Sequence, residues 1–139
     1  MNIQVVPPAT RVGFMGPHGT FTEQALLSQQ DLAAADTKPF DSIPDVLNGL
    51  ITSDVDLGFV PIENAIEGAV NVTQDALAFD LDLRIQREVI LDVQLNLLAL
   101  PGTQLNDIHT VVSFPVAVAQ CRNFLREQLP EAEIQAATS

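Results

Sequence analysis

The stretch "DLGFVPIENAIEGAV", Asp56 to Val70, decides the fold of this chain. Its first half is an apolar run, Leu57 to Ile62, which is typical of a buried strand. Two carboxylates, an amide and a glycine follow the run: Glu63, Glu67, Asn64 and Gly68. In open α/β sheets, ligands bind just beyond the carboxyl ends of the strands. The stretch therefore predicts a binding site, although a solvated loop with a glycine bend would give the same pattern.

The residues before this stretch alternate between strand and helix patterns. Two helices begin at polar caps, one at Thr20 with Glu23 three positions on, the other at Ser42. Pro39 cannot donate to a ladder, so its strand is expected at a sheet edge. The predicted order is strand Arg11–Met15, helix Thr20–Asp31, strand Thr37–Phe40, helix Asp41–Ser53 and strand Asp56–Ile62. This order predicts a parallel or mostly parallel sheet, and hence the α/β class.

The second half of the chain starts with a short helix and a long apolar segment. Alternating apolar residues in Leu83–Leu100 predict two long strands or one bent strand. Ser113 is expected to cap the following helix, with Pro115 in its first turn. The remaining predicted elements are helix Val72–Phe79, strand His109–Val112 and strand Glu133–Ala137.

Length, composition and charge exclude several classes of protein. The chain has 139 residues with 47% hydrophobic residues, which indicates a globular domain. A net charge of −12 argues against nucleic acid and anionic membrane surfaces as partners. The sequence has no apolar run of the ~20 residues that a membrane span needs, no secretory signal pattern and a single cysteine, Cys121, so we expect a cytoplasmic protein. With only 6 cationic side chains, an anionic ligand would depend largely on backbone amides.

The motif "GPHGTF" lies between the first strand and the first helix. Gly16 and Gly19 allow a ligand to approach the backbone, and Thr20 begins a helix whose free amides suit an anion. A tight turn is the alternative. The motif has neither the lysine of a phosphate-binding P-loop nor the third glycine of a dinucleotide fingerprint. No ligand spacing supports a metal site at His18 and His109.

Taken in order, the motifs resemble the catalytic domain of prephenate dehydratase. They are "GPHGTFTEQA", "GFVPIENAIEGAV", "REVILDVQLNLLAL" and "VVSFPVAVAQC", and the resemblance covers Arg11 to Ser139. It implies two α/β lobes, similar to type II periplasmic binding proteins, each a small mixed sheet flanked by helices around an active-site cleft. We expect the first lobe at residues 1–78, and the connecting strands and an incomplete second lobe at 79–139.

The resemblance also implies an activity. The family converts prephenate to phenylpyruvate, water and carbon dioxide in phenylalanine biosynthesis, as a carbon-oxygen lyase without metal or organic cofactor. In the full-length protein it implies a downstream ACT domain that senses L-phenylalanine, and we expect a homo-oligomer. Two alternatives remain open: a non-catalytic module that binds a small anion or amino acid, and arogenate dehydratase.

Site residues are carried over from the family by position. Glu67 and Gly68 are expected to order the loop, and substrate contacts are expected at Asn64, Glu63, Thr20, Gly19, Ser113, Thr138 and Ser139. The chain departs from the family at Ala65, where a serine is usual, and at Phe114 and Val116. The family's Thr-Arg-Phe motif, with its catalytic threonine, lies beyond residue 139. No catalytic residue is therefore expected within this chain, which should be inactive by itself.

Overall fold

A computed structural model describes residues 5–65 and 68–137 of the chain. The chain divides into two compact units, Met1–Asp92 (unit 1) and Val93–Ser139 (unit 2). Both contain strands and helices, which confirms the predicted α/β class. The predicted lobe boundary after residue 78 remains a prediction.

Unit 1 is built on a three-stranded parallel sheet in the order β2-β1-β3. The strands are β1 (Arg11–Met15), β2 (Asp36–Phe40) and β3 (Leu57–Phe59). Phe14 lies opposite Pro39 on one side and Phe59 on the other. The predicted parallel sheet is confirmed, with Pro39 in an edge strand as its missing N–H requires.

The helices of unit 1 begin where their caps predict. Thr20 accepts from the Glu23 N–H before α1 (Phe21–Leu27), and Ser42 accepts from the Asp45 N–H before α3 (Ile43–Ile51). The predicted single helix over Thr20–Asp31 is wrong, because α1 ends and a separate α2 follows (Gln30–Ala33). The Ser28 hydroxyl donates to the Ala25 carbonyl at 2.7 Å, and Gln29 is extended, which interrupts the helix.

Helices cover opposite faces of this sheet. On one face Val12 and Phe14 pack with Leu26 of α1 and Leu32 of α2. On the other face α3 lies so close that a Cβ on Gly58 would meet Leu50 and Val46 side chains at 3.0 and 3.1 Å. Side chains along β1 and β3 therefore point alternately into two cores, one between each face of the sheet and the helices that cover it.

The turn after α3 contains the one described non-glycine residue with a left-handed backbone, Ser53, whose φ is 59°. Ser53→Gly is expected to stabilise the chain by about 0.5–1 kcal/mol, because glycine adopts this conformation without a Cβ penalty. The free energy of unfolding in urea measures the effect. As a control, Thr52→Gly should lower stability, because Thr52 has a φ of −82° and its hydroxyl donates to the Asn48 carbonyl. Equal or lower stability for Ser53→Gly would contradict the argument.

After β3 the chain forms a hairpin, β4 (Glu63–Asn64) and β5 (Gly68–Ala69), then α4 (Asn71–Asp75) and a π-helical turn, Ala76–Asp80. The helix predicted over Val72–Phe79 is thus confirmed. The strands predicted within Leu83–Leu100 are wrong, since this segment has no regular secondary structure. Alternation makes a segment suited to a sheet, but a strand also needs a hydrogen-bonded partner, and the described sheets do not include this segment.

Unit 2 contains a two-stranded parallel sheet and one helix. A 3-10 turn, Leu105–Asp107, leads into β6 (Thr110–Ser113), and α5 (Pro115–Gln128) and β7 (Glu133–Ala136) follow. Both predicted strands are confirmed. The Ser113 cap is wrong: Ser113 ends β6, and Phe114 is the cap, without a side-chain bond. Pro115 forces the residue before it into extended backbone, so the helix starts one residue later.

Candidate functional site

The most favourable place for a site in unit 1 is the carboxyl edge of its sheet between β1 and β3. The chain runs from β1 outward to β2, then returns past β1 to β3, with the connecting helices on opposite faces. The direction of winding therefore changes between β1 and β3. In open α/β sheets such a switch point opens a crevice, and ligands bind there.

The "GPHGTF" motif forms the turn that follows β1 at this edge. Gly19 has a φ of +85°, which favours glycine, and the Gly16–Pro17 peptide is cis. The Thr20 hydroxyl is half-buried and donates to the Met15 carbonyl at 3.4 Å while capping α1. The turn thus places Thr20 directly beside the end of β1, as its predicted role in the site requires.

Glu23 holds this turn in place. Its carboxylate accepts from the Gly19 N–H at 2.6 Å and lies 2.5 Å from Nδ1 of His18. The Gly19 N–H and then the His18 side chain lower the pKa of Glu23, so the carboxylate is ionised at neutral pH. The sequence indicated the capping box, but not that Glu23 would bond Gly19 rather than the cap residue itself.

The "PIENAIEG" motif forms the hairpin that follows β3 at the same edge. Glu63 pairs with Ala69 and Asn64 with Gly68, and Gly68 has a φ of +84°. The half-buried Asn64 therefore sits on an ordered strand next to the hairpin tip, not on a loose loop. Because β1 and β3 are parallel neighbours, the "GPHGTF" turn and the β4–β5 hairpin both follow carboxyl ends of this sheet.

Two residues beyond the predicted set support the base of this hairpin. Thr73 is fully buried, and its hydroxyl donates to the Pro61 carbonyl at 2.7 Å. The Gln74 amide donates to the Ile62 carbonyl at 3.3 Å. Thr73 belongs to the motif region that carries the family resemblance, but its role as an anchor depends on a contact 12 residues away.

The remaining predicted site residues lie in unit 2 or outside the described residues. Ser113 lies in unit 2, where it ends β6. Glu67, Thr138 and Ser139 lie outside the described residues. Within residues 5–65 and 68–137, no three histidine, cysteine or acidic side chains form a group that could hold a metal ion.

Three of the cationic side chains are paired with carboxylates. Arg11 binds Asp56, Lys38 binds Asp54, and Arg87 binds Asp31. The Arg11 side chain and its N–H lower the pKa of Asp56 to about 2. Three of the six cations are thus committed to carboxylates.

Comparison with known proteins assigns the family. Residues 12–139 match the family described as "PDT: Prephenate dehydratase". The chain belongs to the prephenate dehydratase family. A prephenate dehydratase of Mycolicibacterium vanbaalenii is 41% identical over 92% of this chain and 45% of its own length. One of Mycobacterium ulcerans is 37% identical over 93% of this chain and 44% of its own length.

Solved structures of prephenate dehydratases agree with this fold. The Arthrobacter aurescens protein, solved in complex with L-Phe, gives a TM-score of 0.79 at 38% identity, covering 93% of this chain and 42% of that one. The Staphylococcus aureus protein gives 0.68 at 26% identity over 93% of this chain and 48% of that one. This likeness confirms the predicted fold class, that of the two-lobed, periplasmic-binding-protein-like prephenate dehydratases. This chain spans less than half the length of these relatives. No helix among its described residues is both long and apolar enough to cross a membrane.

Proposed function

We propose that this chain forms the first part of an enzyme that converts prephenate to phenylpyruvate, water and carbon dioxide. The observation that carries the proposal is the position of two motifs, "GPHGTF" and "PIENAIEG", at the switch point of the sheet in a chain of this family. Such a lyase belongs to phenylalanine biosynthesis, and we propose that it needs neither a metal nor an organic cofactor. We place the protein in the cytoplasm.

Asn64 is the proposed substrate contact, because its amide can donate to an oxygen of a dianion and accept from a hydroxyl. Thr20 and the turn that Gly19 shapes line the same edge, and Glu63 and Gly68 order the hairpin beside Asn64. Contacts from Ser113, Thr138 and Ser139, and ordering by Glu67, remain proposals from the family resemblance.

The proton donor for the departing hydroxyl is proposed to come from the family's Thr-Arg-Phe segment. General acid catalysis assists this departure, and exclusion of water assists the decarboxylation that follows. Glu23 is unsuited to this role, since its lowered pKa leaves it ionised. As the Arthrobacter aurescens relative was solved with L-Phe, we propose that the whole protein also binds L-phenylalanine and forms a homo-oligomer.

A chimaera tests the proposal. Residues 12–139 replace the matching stretch of the Mycolicibacterium vanbaalenii relative, and phenylpyruvate formation is followed by ultraviolet absorbance. We expect the chimaera to turn over prephenate. Arogenate is supplied as a competing substrate to test the alternative activity. A folded chimaera that binds prephenate without turning it over would support the alternative, a small-anion binding module, which Ala65 in place of the family's serine favours.

Asn64→Ala in this chimaera is expected to lower kcat/KM by about 10- to 100-fold, the loss of a hydrogen bond to a charged group. Ala65→Ser is the matched control one residue along, and it should retain or raise activity because it restores the family's hydroxyl. Initial rates over a range of prephenate concentrations measure both. Unchanged kcat/KM for Asn64→Ala would remove Asn64 from the substrate site.

A further inference from the structure

Asp31 joins three parts of unit 1 that are far apart in sequence. Its carboxylate accepts from both terminal nitrogens of Arg87, at 2.8 and 2.7 Å, and from the Val6 N–H at 2.9 Å. Arg87 is 56 residues away and Val6 is 25 residues away. The two-pronged geometry is the strong form of an arginine–carboxylate bond.

This ion pair is less exposed to solvent than the other two described pairs of arginine or lysine with aspartate. The side chains of Asp31 and Arg87 are 16% and 14% exposed, whereas those of Lys38 and Asp54 are 52% and 45% exposed. Arg87 and then the Val6 N–H lower the pKa of Asp31, so its charge persists at neutral pH. A shielded pair with several hydrogen bonds resists opening more than an exposed pair, which salt and water weaken.

The segment that contains Arg87 lies against unit 1 without forming a β-ladder. Residues 81–100 lack regular secondary structure, and Ile85 and Ile90 on either side of Arg87 are 66% and 84% exposed. The backbone there gains neither a ladder nor burial of these two side chains. Leu83, Val89 and Leu91 are half-buried, and Arg87 joins the segment to α2 through its ion pair with Asp31.

We propose that Asp31 and Arg87 form a clasp that fastens the segment around Arg87 to unit 1. The clasp makes the segment move with unit 1. Unit 2 begins at Val93, so only the few residues between Arg87 and Val93 are left to connect the two units. This device concerns the connecting segment and does not depend on the proposed activity.

Limited trypsin digestion of the 139-residue chain tests the clasp. Cleavage after the exposed Arg84 is the reporter, because a protease needs the residues around the cut, including Arg87, to open. Asp31→Asn is expected to raise the rate of this cut about tenfold. Cuts after Arg11 in β1 and Arg122 in α5 should keep their rates, since they report opening of the sheet and of unit 2.

Asp54→Asn is the matched control, because it makes the same change in an exposed ion pair, and it should leave the Arg84 cut unchanged. Arg87→Lys, which keeps the charge but loses the two-pronged bond, should raise the rate of cleavage after Arg84 by a smaller factor than Asp31→Asn does. An unchanged Arg84 cut in Asp31→Asn and Arg87→Lys would overturn the proposal. So would an equal rise at Arg11, Arg84 and Arg122, which would show that the pair supports global stability alone.

Discussion

The 139-residue chain by itself is expected to form no phenylpyruvate above the uncatalysed background. Departure of the ring hydroxyl needs a proton donor, whose contribution alone is about 10²- to 10⁴-fold in rate. The acid closest to the turn at the site, Glu23, is ionised because Gly19 and His18 lower its pKa. The donor that the family resemblance implies belongs to a Thr-Arg-Phe motif, and the 139 residues contain no such stretch. The measurement is ultraviolet detection of phenylpyruvate with the chain at micromolar concentration.

The chimaera at the same concentration is the positive control for this result. The chimaera contains the same candidate binding residues. Activity in the chimaera and none in the chain would therefore show that the proton donor comes from the part supplied by the relative. Steady turnover of prephenate by the 139-residue chain alone would contradict the prediction. The proton donor would then have to be sought among the residues of this chain.

The sequence predicted the elements of unit 1 well, because each was specified by local signals. Thr20 and Ser42 cap helices as their hydroxyls predict, and Pro39 lies in an edge strand. These outcomes depend on residues within a few positions of one another. The break between α1 and α2 was missed because it depends on one hydrogen bond, from Ser28 to Ala25, that competes with helical bonding.

Elements that depend on distant partners were predicted less well. Leu83–Leu100 has the alternation of a strand, but pairing is decided by which other segment reaches it, and local sequence does not contain that information. The Asp31–Arg87 pair was missed for the same reason, since an aspartate and an arginine 56 residues apart give no periodic signal.

The sequence predicted that both candidate motifs follow strands, but it missed the hairpin that follows β3. Glu63 and Asn64 were placed at the end of a strand, whereas they form a hairpin of their own, anchored through Thr73. Parallel pairing of β1 with β3, which the β-α-β-α-β order implied, means that the two motifs follow neighbouring parallel strands. The substrate contact predicted at Ser113 in unit 2 remains a prediction, and its predicted role as a helix cap is wrong.

Phe14→Ala is expected to destabilise the chain by about 3–5 kcal/mol, a large part of the 5–15 kcal/mol typical of a domain. Phe14 is fully buried with Val12, Leu26 and Leu32, so truncation leaves a cavity between the sheet and two helices. Phe79→Ala is the matched control. It removes the same atoms from a side chain that is 82% exposed and should change stability by no more than about 0.5 kcal/mol. Urea unfolding followed by circular dichroism measures both, since the chain has no tryptophan.

The Phe14 substitution also tests whether the turn at the candidate site depends on the core to stay ordered. The Phe14 and His18 rings meet in an edge-type contact, with centroids 5.7 Å apart, and His18 is bound to the carboxylate that holds the Gly19 turn. Amide exchange in residues 16–20 should therefore accelerate in Phe14→Ala, under conditions where the variant stays folded, more than exchange in the hairpin does. Equal stability losses in the two phenylalanine variants, or exchange in the turn that does not respond, would contradict this dependence of the site on the core.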